Sequence, residues 1–172
     1  MNARKIILPV FAGFVLFASF HCQQKGDVPM STEENKALVR RYAEEAFGKG
    51  SVAVSDELLS SDYVHHTLLP GITPDREGRK QLVSMLHAAF PDIRLTLEDM
   101  VAEGDKVAVR WTCSALHKGE YMGIAPTGKQ VTWTGMSLHR VEGGKIVESW
   151  DEVDNLGMMQ QFGVVPPPGQ EK

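Results

Sequence analysis

The stretch Gly144-Lys145-Ile146-Val147-Glu148-Ser149-Trp150-Asp151-Glu152-Val153-Asp154-Asn155-Leu156-Gly157 decides how this chain folds. Gly143-Gly144 supplies the positive backbone angles of a tight hairpin, and the residues after it alternate with the period of two that marks a strand. On that reading Ile146, Glu148, Trp150, Glu152 and Asp154 share one face, and Asp151 points to the other. A face that mixes large apolar residues with acids either borders solvent or lines a cleft in which an acid is useful.

Working outward from it, three more segments carry the same period. Ile93, Leu95 and Leu97 alternate with Arg94, Thr96 and Glu98, and Glu103-Gly104-Asp105 turns the chain back. Val107, Val109, Trp111, Cys113 and Ala115 form the bulky face of the next strand, and residues 131–141 make a third. The interval from His117 to Lys129 is a longer loop that folds over the mouth of the fold. Within it Gly123-Ile124-Ala125-Pro126-Thr127-Gly128-Lys129 has the spacing of a phosphate loop, but Gln130 replaces the required Ser or Thr and opens a strand instead of a helix.

Upstream the period is 3.6. Ser31-Thr32-Glu33-Glu34 is a capping box, followed by Leu38, Val39, Tyr42, Ala43, Ala46 and Phe47 at helical spacing, with Gly48 as the left-handed stop. A short helix is expected over 52–59, then an extended piece through Tyr63-Val64-His65-His66. A third helix runs from Asp75 to Phe90 with Leu82, Leu86 and Ala89 inward and Arg76, Arg79 and Lys80 outside, closed by Pro91. Helices first and a meander of strands after them is the α+β pattern: a strongly curved antiparallel sheet wrapped around N-terminal helices, making a cone with an open mouth.

Composition bounds the rest. With 172 residues the chain is one domain plus extras, and a net charge of -4 lacks the basic stripe that nucleic-acid binding requires. Cys22 and Cys113 are too far apart in role to build a disulfide framework. The six histidines show neither a His-x-His pair nor the His-x-x-x-His helical spacing, so no metal site is expected.

Residues 1–22 have the layout of a secretory or lipoprotein leader: Arg4 and Lys5, an apolar run from Ile6 to Phe20, then His21-Cys22. Cys22 resembles the acylated cysteine of a bacterial lipoprotein, although Ser19-Phe20-His21 replaces the usual small residue before it. Residues 23–30 then form a tether, 31–163 the domain, and 164–172 a proline-rich tail. The expected location is the cell envelope, with membrane attachment through a lipid anchor on Cys22.

Several motifs together carry a resemblance. They are Asp62-Tyr63-Val64-His65-His66, Phe90-Pro91-Asp92, Glu103-Gly104-Asp105-Lys106-Val107-Ala108-Val109-Arg110-Trp111, His117-Lys118-Gly119-Glu120-Tyr121-Met122-Gly123-Ile124-Ala125-Pro126-Thr127-Gly128, and the opening stretch. The segment from Asn35 to Gly163 resembles the SnoaL-like polyketide cyclases, also called ester cyclases, within the nuclear transport factor 2-like superfamily. The resemblance implies a cone-shaped α+β barrel with an apolar cavity, often in a homodimer packed through the sheets. It also implies a cofactor-independent intramolecular ring closure, with an acid near the end of the last strand as general acid/base. Asp154 is the position matched to that acid, and His139 to a second polar cavity group.

The residues themselves leave alternatives. Asp154 beside Trp150 either transfers protons in the cavity or caps the final helical turn. His117 is a polar wall residue or proton donor, or a structural histidine; His66 is expected to line the cavity and His65 to face away. Trp111, Trp133 and Trp150 are expected as cavity wall, with Glu148 on the same face as Asp154. The functional expectation is an acid/base enzyme of cyclase, isomerase or lyase type acting on a small hydrophobic carbonyl or ester compound. The alternative is an envelope-tethered module that binds an apolar ligand without turnover.

Overall fold

A computed structural model describes residues 30–67, 69–167 and 169. The expected leader and Cys22 lie outside the described residues. Helix α1 (Thr32–Tyr42) starts at the expected capping box: Ser31 Oγ accepts from the Glu34 N–H and Glu34 accepts from the Ser31 N–H. It passes into a π-helical turn, Ala43–Gly48, and the positive φ that ends it falls at Gly50 (75°), two residues past the expected stop at Gly48. The wider turn presents both Ala43 and Phe47 to the interior along with Tyr42. Helices α2 (Ala53–Leu58) and α3 (Arg76–Ala89) follow, with the first strand, β1 (Leu59–His65), between them.

The remaining strands are β2 (Arg94–Glu103), β3 (Lys106–Leu116), β4 (Gln130–Glu142) and β5 (Lys145–Val153), and α4 (Asn155–Phe162) closes the domain. The five strands form one curved, unclosed sheet in the order β1-β5-β4-β3-β2. The expected sheet was wholly antiparallel; β1 instead lies parallel to β5 and forms an edge of the sheet, with α3 and the β2–β4 meander between the two strands in the chain.

Val107, Val109, Cys113 and Ala115 are buried, as the period of two predicts. In β5 the period breaks. Val141 pairs with Ile146 and Arg140 with Glu148, so Val147 is an extra residue with no partner on β4. Such a bulge shifts the side-chain parity by one. Ile146 is inside before it; Ser149, Asp151 and Val153 are inside after it, and Glu148, Trp150 and Glu152 turn to the outer side. The face expected for the opening stretch is therefore correct only up to the bulge.

Two clusters form the core. Val39, Tyr42, Leu59, Tyr63, Val107 and Ile146 pack at one end, and Phe90, Tyr121, Trp133, Met158 and Phe162 at the other. The half-buried Trp111 touches both. At the closed end, Asn35 Nδ2 donates to the Gly104 carbonyl, and Asp105 accepts from the Val141 N–H. That end therefore gathers the start of α1 and the two hairpin turns. The opposite end of β5 carries Glu152, which with Met122 and Asn155 is exposed at the rim of a cavity. At about 3.3 Å per residue, the nine-residue β5 separates the two ends by roughly 25 Å.

Gly135 on β4 lies opposite Trp111 on β3, and a Cβ built there would overlap the indole ring and the Glu152 carbonyl. Gly135→Ala is expected to lower stability by about 1–3 kcal/mol through overpacking. Urea unfolding followed by tryptophan fluorescence measures it, and an unchanged midpoint would show that the approach is not tight.

Candidate functional site

Between the two core clusters lies a cavity of about 180 Å³. A purely structural domain with a filled core would have none. Its walls are mostly apolar, including Leu82, Leu86, Ile93, Leu95, Trp111 and Trp133. Its polar groups are Tyr42, His65, Arg79, Ser137, His139 and Asp151, with Thr67 and Asn155 nearer the rim.

The centre of this polar group is Asp151, brought inward by the bulge at Val147. Its Oδ2 lies 2.7 Å from Arg79 Nη1 and 3.1 Å from His65 Nε2. A carboxylate only accepts, so the His65 nitrogen facing it carries a proton. Arg79 Nη1 also stands 3.2 Å from that nitrogen, a close approach that is no hydrogen bond while the proton is there. Oδ1 of Asp151 is buried and has no hydrogen-bond partner among the described residues. Thr67 fixes the backbone, its hydroxyl donating to the Asp151 carbonyl and accepting from the Asp151 N–H, both at 2.8 Å.

Burial by itself would raise the Asp151 pKa, but the Arg79 guanidinium and the His65 hydrogen bond overcome it and hold the group well below the usual carboxylate range. An apolar setting alone would make this acid weaker; the buried cation beside it reverses the direction. His139 is the opposite case: burial pushes its pKa down to about 4, with Asp151 opposing and Arg79 adding to the shift. It is a neutral imidazole at neutral pH, with Nδ1 2.7 Å from Ser149 Oγ.

The remaining expected residues are distributed as follows. Trp111 and Trp133 line the cavity, and Trp111 Nε1 donates to Ser137 Oγ at 3.0 Å. Asp154 is exposed and outside the lining. Its Oδ1 accepts from the Gly157 N–H at 2.9 Å, so it stands as the cap of α4, for the same reason of parity that brings Asp151 in. His65 and His66 exchange the faces expected of them. Alternation from the buried Tyr63 puts His65 inside, while His66 stacks on Trp150 at 4.4 Å on the outer side and meets Glu148 at 2.7 Å.

Trp150 and Glu148 are thus outer-face residues; Glu148 also accepts from Arg140. His117 is fully buried behind the wall, between Phe90 and Phe162, with Nδ1 accepting from the Thr127 N–H. Arg79, expected on the outside of α3, is buried and lines the cavity, and Ser137, Thr67 and Tyr42 join it without having been singled out. For Arg79 a signal existed: it lies three residues before Leu82 and seven before Leu86, on the same inward stripe of α3.

Residues 37–162 match the family model described as SnoaL-like polyketide cyclase. Nogalonic acid methyl ester cyclase of Streptomyces nogalater is 29% identical over 120 residues, covering 69% of this chain and 90% of that protein. Among solved structures, TsrD from Streptomyces laurentii superposes with a TM-score of 0.72 at 27% identity, covering 79% of this chain and 99% of its own. IdmH from Streptomyces antibioticus has a TM-score of 0.64 at 36% identity, with 75% and 98% covered.

The buried imidazole makes stability depend on pH with a definite sign. The unfolded chain protonates His139 near 6.5 and the folded one only near 4, so between these values the unfolded state holds more protons and stability falls as pH falls. The full window amounts to about 3 kcal/mol. Asp151, whose pKa is depressed, loses its contribution only as pH falls through and below the ordinary Asp value of 3.8. Urea unfolding at pH 7 and pH 4.5 is expected to show wild type losing roughly 2–3 kcal/mol more than His139→Gln. Equal losses would contradict the buried neutral assignment.

Proposed function

The chain belongs to the SnoaL-like polyketide cyclase family, and from that premise we propose that it is an acid/base enzyme of cyclase or isomerase type. The substrate is a small hydrophobic carbonyl or ester compound with an acidic C–H. Asp151, in place of Asp154, is the acid/base. What carries this reading is the unequal pair of oxygens on one buried carboxylate: Oδ2 is held by Arg79 and His65, while Oδ1 has no partner among the described residues, at a cavity whose walls are mostly apolar.

Such a carboxylate is a weak base in isolation. Its weakness is offset in the reaction, because Arg79 remains in place when the charge moves. Asp151 takes the proton and becomes neutral, and the negative charge passes to the substrate enolate beside the same guanidinium. The enolate carbon then attacks a second carbonyl of the same molecule, and Asp151 returns its proton to the new alkoxide. The net change is one C–C bond formed, with no atom gained or lost. His139, neutral and anchored on Ser149, is a polar wall that does not compete for the charge. The walls exclude water, which favours proton transfer over solvation of the enolate.

Export and attachment through Cys22 belong to the same proposal and rest on the leader layout. Pairing of two copies through the outer sheet face also belongs to it, supported by Met136 of β4, which is 54% exposed on that side.

Deprotonation can be tested without the natural substrate. Ethyl benzoylacetate, an aromatic β-keto ester, exchanges its central protons with D2O, and NMR follows the exchange above the buffer rate. Asp151→Asn is expected to lower the protein-catalysed rate by about 10²–10⁴-fold, while Asp154→Asn, which keeps a capping side chain, stays near wild type. An Asp151→Asn protein as active as wild type would sink the assignment. Saturable binding by wild type with no exchange above buffer would favour the binding module.

A further inference from the structure

Four buried polar atoms near Asp151 have no hydrogen-bond partner among the described residues: Asp151 Oδ1, Arg79 Nε, Tyr42 Oη and Tyr63 Oη. Leaving such atoms unmet costs about 1–3 kcal/mol each. Three of the four belong to residues that line the cavity; Tyr63 does not line it. Oδ1 is an acceptor, whereas the Tyr42 hydroxyl and the Arg79 Nε–H are donors. An acceptor that can take a proton from carbon, beside donors that can hold an oxygen, is the complement of a C–H next to a C=O.

Tyr42 is 1% exposed, and its ring is held edge-on by Phe47 at 5.9 Å and by His139 at 6.4 Å. Arg79 lies over the same Phe47 ring at 4.9 Å. Phe47 therefore fixes both donors from the π-helical turn, which follows Tyr42 directly. Among the described residues the Tyr42 hydroxyl has neither a backbone nor a side-chain acceptor, so its O–H is left uncommitted.

Resting on the Asp151 reading, we infer that Tyr42 is a catalytic residue whose O–H, with Arg79, binds the substrate carbonyl oxygen and holds it as the enolate oxyanion. In the step, the C–H bond breaks toward Asp151 Oδ1, its electron pair forms the C=C bond, and the C=O pair moves onto the oxygen hydrogen-bonded by Tyr42. Tyr42 keeps its proton throughout and Arg79 balances the charge. The ligand that fits is an uncharged ketone or ester. A bound carboxylate would face the unpaired Oδ1 of Asp151.

The test uses 4-nitrophenol, whose phenolate stands for the enolate and differs from the neutral phenol in visible absorption. In Asp151→Asn, where the amide stands for the protonated acid, the bound probe is expected as phenolate with its pKa lowered. Adding Tyr42→Phe is expected to weaken phenolate binding about tenfold or more and to raise the bound pKa. In the exchange reaction Tyr42→Phe alone should lower kcat about 10²–10³-fold with little change in KM. Tyr63→Phe, equally buried but off the cavity, should change neither. The inference falls if Asp151→Asn does not bind the phenolate, if Tyr42→Phe leaves both readouts unchanged, or if Tyr63→Phe matches it. Retained exchange in Asp151→Asn sinks instead the underlying assignment of the base.

Discussion

A buried ion pair, Arg79 with Asp151, is the constraint on which the rest of this structure depends. Side chains that are 3% and 12% exposed bring opposite charges to 2.7 Å in a largely apolar interior. Neither charge is tolerable there without the other, and removing one partner of such a pair typically costs about 3–5 kcal/mol. The pair ties the first turn of α3 to the far end of β5, seventy-two residues later in the chain. Between them it fixes His65 and the position of the cavity floor. The fold around it supplies the walls, and the two core clusters leave the space.

The same pair reconciles two requirements that conflict in simpler sites. A base acting on carbon should be strong, yet a buried carboxylate beside a guanidinium is weak. The conflict holds only for the resting state. In the proposed reaction the cation stays while the negative charge moves by one proton transfer to a neighbouring oxygen, so what is taken from the base is returned to the intermediate. The environment is preorganised for a charge in that place, whichever atom bears it.

Most of the fold was legible because its periods are local properties: the capping box at Ser31, the stripe of α3 and the bulky face of β3 all stand where the sequence puts them. The site was less so, and the reasons differ residue by residue. Asp151 was displaced from its expected face by Val147, whose doubling against β4 is a relation between two strands and leaves no mark in either one alone. Arg79 sat in plain view on an inward stripe, but its charge argued for solvent, and only its partner makes burial tolerable. His65 needed no more than counting from Tyr63. Tyr42 was read as core, correctly; that its hydroxyl goes unsatisfied there is a fact about its neighbours. Thus face assignments failed where the sheet is irregular, and the burial of Arg79 was missed because its partner decides it.

The arrangement of the ends has a consequence for traffic. The first turn of α1 is pinned beside the two hairpin turns, and the rim at Met122, Glu152 and Asn155 lies at the other end of β5. A pull or a restraint acting through the residues ahead of Thr32 therefore acts on the base of the cone and leaves its rim unobstructed. The polypeptide therefore enters the domain at one end of β5, and the exposed rim of the cavity above Asp151 lies at the other.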